Sequence, residues 1–375
     1  MRSEARAISR PPEPKAGLQL GRALGSLFPV LALATVALFA GATLTVAGDT
    51  LGYDVLAYHA AAARVLEGKP AYDTSFEAAG GFGLFYYPPT FVPLVLVFGL
   101  LPATAATWAW IAGLGAAFGA GVGCLPVSRQ TRWLVVLLAG LSWPFLYALK
   151  LGQVGPLLFL AFAAGWRWLD RPAVLGVTGA IGAAIKIQPG LVLVWAVLTR
   201  RWAAAAWGAV VLVVLAALAT LVAGVQSWSD FLLLVTRVAD QVTTPHNFTP
   251  GAVAYQLGMP RDAAAVLQWA VMALVVALVV AAALRLRPVP SYLVAVVASQ
   301  LLSPILWDHY ALLLLLPVAW LLDRGRWWAA LIPLASSVVL VGVIPPVVYP
   351  LAFGATLAAL FLEREPVSSR SPAGP

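Results

Sequence analysis

Residues 202–224 read WAAAAWGAVVLVVLAALATLVAG, with Arg200 and Arg201 just before them and Val225-Gln226 just after. No charged side chain falls inside, and at about 1.5 Å per residue a helix of this length crosses a hydrocarbon core of roughly 30 Å. The run is continuously apolar, whereas a barrel strand alternates lumen-facing and lipid-facing residues over about ten positions, so a helix is expected. Runs of the same kind, each of about 17 to 24 residues, recur outward in both directions from Leu24 to Leu362. The whole chain is 62% hydrophobic and only 10% charged. Soluble domains hold roughly 45–50% and 25%, so a water-soluble fold is excluded. The expected fold is an all-α polytopic membrane protein with about 11 crossings, within a range of roughly 9 to 13.

The net charge of +8 does not point to nucleic acid, because basic residues stand as pairs at the ends of apolar runs: Arg129/Arg132, Arg167/Arg171, Arg200/Arg201 and Arg285/Arg287. Such pairs set membrane orientation. Residues 1–22 carry Arg2, Arg6, Arg10, Lys15 and Arg22 with Pro11, Pro12 and Pro14, and read as a disordered cytoplasmic tail. The following apolar stretch is too long for the core of a cleaved signal peptide and reads as a retained first span. Residues 23–362 form one integral membrane domain, and 363–375 a second disordered tail. Cys124 is the only cysteine, so no intrachain disulfide can form. With three histidines besides, no metal cluster and no cofactor are expected.

The positive-inside rule places two polar stretches, 48–87 and 225–262, on the extracytoplasmic side of a plasma or inner membrane. The first is the richest in carboxylates, with Asp49, Asp54, Glu67, Asp73 and Glu77. Within it Tyr53 to Glu67 has the pattern of an amphipathic interfacial helix stopped by Gly68 and Pro70. With the basic pairs placed inside, the stretch Pro172 to Thr199 bends at Lys186-Ile187-Gln188-Pro189 and returns as two half-spans. That requires the 13-residue segment Pro89 to Leu101 not to cross, as a re-entrant segment does; the alternative is an ordinary tilted span that leaves one basic pair outside.

Charge is costly within a membrane, so Lys186, alone in an apolar run, needs water or an anion; insertion scales put that cost at about 2.5–3.5 kcal/mol. The bland alternative is a lysine that snorkels to the headgroups. Outward segments gather Asp54, Tyr58, Tyr72, Asp73, Tyr86, Tyr87, Gln153, His246, Asn247, Asp308 and His309 on one side, which suggests a polar cavity. Asp54 and Tyr58, four apart, share a helix face. A carboxylate there suits a general base for a hydroxyl acceptor, with Asp49 and Asp73 as rivals and helix capping as the alternative role for Asp54. Trp307-Asp308-His309 begins a helix, where backbone N–H groups favour an anion, although Asp308 equally suits a cap. Tyr86-Tyr87-Pro88-Pro89 reads as an aromatic belt or a pocket wall, and Gln153 as a sugar ligand or a cap. No P-loop, nucleophile elbow or HExxH occurs.

In chain order, Gly52-Tyr53-Asp54 with Tyr58, Ala61 to Arg64 and Gly68; Tyr72-Asp73; Tyr87-Pro88-Pro89 with Pro93; Gly152-Gln153; Lys186-Ile187-Gln188-Pro189; Asn247; and Ser303-Pro304 with Trp307-Asp308-His309 resemble the pattern of glycosyltransferase family 87. These are polyprenol-phosphate-mannose-dependent mannosyltransferases of the membrane GT-C superfamily. The resemblance spans about residues 50 to 325, and the order of the motifs makes it specific. His59 departs from it, standing where the family often has an aromatic residue.

The resemblance implies a GT-C-like fold with an extracytoplasmic first loop, and inverting transfer of a hexose, typically mannose, from a polyprenyl-phosphate donor to a glycan or glycolipid hydroxyl. It further implies Asp54 as general base, Lys186 and His309 on the donor phosphate, and Tyr58, Asp73, Tyr87, Gln153, Gln188, Asn247 and Asp308 binding sugar or acceptor or shaping the pocket. The partners are the lipid-linked sugar, the acceptor and membrane lipids. A transporter or flippase is the competing class; it predicts charge along a path and repeated halves, and neither is visible in the sequence.

Overall fold

The computed structural model describes residues 15–75, 84–237 and 241–363. Among them the regular structure is entirely helical, with seventeen α-helices, short 3-10 segments and no strand. Four helices are long and apolar enough to cross a membrane: Leu27–Thr45, Ala103–Cys124, Trp202–Ala223 and Arg261–Arg285. Arg129–Leu141 and Trp143–Leu151 make a fifth span if taken together across a 66° bend. The chain is therefore a polytopic helical membrane protein. The bend interrupts what the sequence presents as one run from Trp133 to Leu149, because Ser142 is extended and Pro144 can sit only in the first turn of a new helix.

The other apolar helices are shorter, and one of them serves the interior. Pro288–Leu301 is buried at every position from Pro290 to Leu301, so it forms the axis of the bundle. Trp202–Ala223 is its opposite: only Ala204, Gly208 and Ala219 are buried, while Val213 and Leu221 face outward. That buried seam of small residues lets the helix approach Pro172–Ile185 closely; a methyl on Gly176 would stand 2.3 Å from the Ala204 carbonyl oxygen. Membrane helices pack through such contacts because lipid removes the hydrophobic drive between apolar faces.

The interfacial helix is Tyr53–Leu66, ended by Gly68 in the left-handed region at φ 72°. The break in the Pro172–Thr199 stretch is also present: Pro172–Ile185 stops, Lys186 is extended at φ −142° and ψ 142°, a 3-10 turn covers Gln188–Gly190, and Leu191–Leu198 follows. Pro189 explains the break, since it offers no N–H to continue the first helix.

Three stretches differ from the sequence reading. The stretch 225–262 is no simple loop, for it contains the helices Gln226–Arg237 and Pro250–Gln256. The apolar run from Trp327 to Val343, long enough in sequence to be read as a span, is a succession of 3-10, α and 3-10 turns, where Pro333 lacks a donor and the Ser336 hydroxyl bonds the Pro333 carbonyl at 2.6 Å. The first helix starts at Lys15, inside the segment expected to be disordered. Arg2, Arg6, Arg10, Glu77, Asp240 and the tail beyond 363 lie outside the described residues.

Candidate active site

Two left-handed glycines fix where the first carboxylate goes. Gly52, at φ 68°, precedes the interfacial helix, and its N–H donates to the Lys150 carbonyl at 2.7 Å. Gly152, at φ 73°, ends the helix Trp143–Leu151, and a methyl built on it would fall 1.9 Å from Val55 Cγ2. Neither backbone conformation suits a residue with a side chain, and the contact with Val55 leaves no space for one. The turn after Lys150 is thereby pressed against the first turn of the interfacial helix. Trp110 clamps the turn by donating from its indole N–H to the Gly152 carbonyl at 2.8 Å. We expect Gly152→Ala to lower stability by about 2–4 kcal/mol through the left-handed strain and the clash together. A thermal melt of the purified variant checks this; an unchanged midpoint would remove the steric argument.

Asp54 is the second residue of that helix, not its cap: Gly52 occupies the cap position and makes no side-chain cap bond. The Asp54 side chain is half-buried and is met by Gln153 from the docked turn. Loss of solvent raises its carboxyl from the ordinary value of 3.8 to about 6, while the hydrogen bond from Gln153 and the positive charge of Lys186 pull the other way. Gln153 is itself oriented. Its amide oxygen accepts from the Tyr87 hydroxyl at 3.0 Å, and the Tyr87 oxygen accepts from Tyr58 at 2.7 Å. The Tyr72 hydroxyl fixes Tyr87 from the other side by donating to its carbonyl at 2.7 Å. This leaves the Gln153 amide N–H groups for the carboxylate.

Lys186 emerges where the backbone leaves its helix. Its ammonium donates to the Tyr310 hydroxyl at 3.0 Å and stands over two rings, 4.1 Å from the Tyr310 centroid and 5.5 Å from that of Tyr87. Among the described residues no carboxylate comes within ion-pair distance of it. Electron-rich rings hold a cation in a low-dielectric place without neutralising it, so its charge stays available to an anion. His309 lies beside it, 3% exposed, its ring 4.8 Å from that of Tyr310 and 6.2 Å from that of Tyr147. Neither ring nitrogen of His309 has a hydrogen-bond partner among the described residues. A buried imidazole left this way is short of a partner, and a ligand group supplies one at little cost.

The remaining predicted residues divide. Asp73 is drawn away, paired with Arg64 at 3.5 Å and accepting from Ser75. Gln188 faces Ser303 in a long bond of 3.5 Å. Asp308 is buried and accepts from the Tyr349 hydroxyl at 3.0 Å, which ties the turn to the helix Val348–Leu362. Asn247 is fully buried, and its amide is committed to the backbone: it donates to Gln241 and Pro304 and accepts from Thr249 and Leu306. These bonds hold the Ser303–Trp307 turn that leads to His309. His59 donates from Nε2 to the Leu101 carbonyl at 2.9 Å, outside the cluster. Tyr147 and Tyr310 belong to the site and were not singled out by sequence; the adjacency of Tyr310 to Asp308-His309 is the signal that could have found it.

A family model described as glycosyltransferase family 87 matches residues 85–307, more than half of the chain. The matched segment contains Tyr87, Gln153, Lys186, Gln188 and Asn247; Asp54 precedes it, and Asp308 and His309 follow it at once. No curated protein and no solved structure matches the sequence.

Proposed function

The chain belongs to glycosyltransferase family 87, and from that premise we propose that it transfers a hexose, mannose by preference, from a polyprenyl-phosphate carrier to a glycan or glycolipid hydroxyl with inversion. Membership makes it a transferase with a sugar donor and an acceptor; the lipid carrier, the sugar and the extracytoplasmic orientation are the proposed part. So is a GT-C-like bundle of about 11 crossings, in which the shorter apolar helices cross beside the long ones.

One observation carries the reading. A lysine stands at a break between two apolar helices, held by tyrosines instead of a carboxylate, close enough to Asp54 for its charge to act there. A phosphate leaving group needs that cation, and a hydroxyl nucleophile needs that carboxylate. In the reaction the acceptor hydroxyl gives its proton to Asp54 as its oxygen attacks the anomeric carbon. The bond from that carbon to the phosphate oxygen breaks with its electron pair on the phosphate, and Lys186, with His309, meets the charge that develops. Tyr58, Tyr87 and Gln153 keep the carboxylate aimed.

The test is transfer of radiolabelled mannose from polyprenyl-phosphate-mannose to a mixed glycan and glycolipid acceptor pool by the protein in nanodiscs. Label in the acceptor supports the reading. Label moved across the bilayer on an intact donor, read in sealed proteoliposomes, would instead establish a flippase. The rate should also fall as the pH drops through about 6, since Asp54 accepts a proton only when ionised and burial has raised its carboxyl to that value. A kcat/KM profile flat from pH 5 to 8 would remove Asp54 as the base.

A further inference from the structure

A second polar site lies at the other end of the Lys186 half-spans. Pro172–Ile185 has 14 residues, so the end that carries Arg171 is roughly 20 Å from Lys186. There a cleft of about 340 Å³ opens between the turn Thr199–Arg201 and the start of Pro288–Leu301. Thr199, Arg200, Arg201, Leu284 and Leu286 line it, with the buried Trp195 and Ser291 at its floor. The floor is fixed, for the buried Trp195 indole donates to the Ser291 hydroxyl at 2.8 Å.

Arg200 is the unusual residue. It has φ 59°, in the left-handed region, one of two residues other than glycine with positive φ among those described. It stands where a helix end turns back, with its N–H on the Val197 carbonyl at 3.0 Å and that of Arg201 on the Ala196 carbonyl at 2.8 Å. Glycine is the residue this turn prefers, so an arginine here is strained. The strain gains nothing within the fold: among the described residues the guanidinium of Arg200 has no ion pair and no hydrogen bond. Arg201 is held differently, donating to the Leu169 carbonyl at 2.7 Å and meeting Asp170 at 3.4 Å, with its guanidinium 5.5 Å from the Trp195 ring centroid. One arginine is therefore anchored, and its neighbour is exposed and unpartnered among the described residues.

We propose that this cleft binds a phosphate group, in the form of an anionic lipid headgroup whose acyl chain runs along Leu284 and Leu286. Guanidinium suits phosphate oxygens through paired N–H donors, and the apolar flank suits a lipid better than a free ion. This site is separate from the proposed transfer chemistry and does not depend on it.

The test uses the whole protein and the variant Arg200→Gly, which removes the guanidinium and relieves the backbone at once. Melts would be compared in nanodiscs of phosphatidylcholine alone and with phosphatidylglycerol added, at matched ionic strength, and in detergent with inorganic phosphate against chloride. The parent should gain a few degrees from phosphatidylglycerol. Arg200→Gly should melt higher than the parent in phosphatidylcholine and gain little from the anionic lipid. A gain from inorganic phosphate equal to that from lipid would assign the site to the free anion. Arg129→Gln, away from the cleft, should keep the parent's response. No response in the parent, an undiminished response in Arg200→Gly, or an equal loss in Arg129→Gln would each overturn the proposal.

Discussion

Asp54→Asn is expected to reduce hexose transfer by about 10²–10⁴-fold while leaving the protein at least as stable as the parent. The two halves of the prediction come from one cause. Burial lifts the Asp54 carboxyl from 3.8 to about 6, so its ionised form disfavours the folded state. That penalty is absent below the unfolded value of about 3.9 and complete above about 6, so at neutral pH the neutral amide is relieved of it. Asparagine keeps the size of the side chain and can still meet Gln153, but it cannot take the acceptor's proton. Transfer assays and thermal melts on the same preparation would check both halves. Full activity in the variant sinks the base assignment. Loss of activity together with a lower melting point would show instead that Asp54 serves the fold.

Lys186→Met should lower kcat/KM for the lipid-linked donor by about 10²–10³-fold, the range seen when one preorganised group facing a developing anion is removed. Its stability should hold or rise. A lysine among apolar helices costs about 2.5–3.5 kcal/mol on insertion scales, and methionine fills similar space without the charge. The Tyr310 hydroxyl and the two rings lose a cation but no ion-paired carboxylate is left behind; the Asp54 carboxyl loses the positive charge that lowers it and should titrate higher in the variant. A lysine that merely snorkels to the headgroups predicts an unchanged dependence on donor concentration, and that outcome would detach Lys186 from the chemistry. Asp73→Asn is the useful contrast: its carboxylate is held by Arg64 and Ser75, so transfer should change by less than about threefold.

The amino-acid sequence determined by itself those features that local physics controls. Continuous apolar runs forced membrane helices, Pro189 and the charge of Lys186 forced a break in one of them, and Gly68 stopped the interfacial helix. The family was legible too, because its motifs recur in a fixed order. Tertiary structure alone decided the partners. Tyr58 meets Tyr87 across 29 residues of chain, Tyr87 meets Gln153 across 66, and Lys186 meets Tyr310 across 124. It separated Asp54 from Asp73, which composition left as rivals in one loop, and it bonded the Asn247 amide to the backbone of the turn that leads to His309. The reason is that leucine is equally content against lipid or protein, so an apolar helix such as Trp202–Ala223 does not reveal in its sequence which face will be covered. Close approach decides it, through small residues such as Gly176 and left-handed glycines such as Gly152, and those contacts exist only once distant segments are packed.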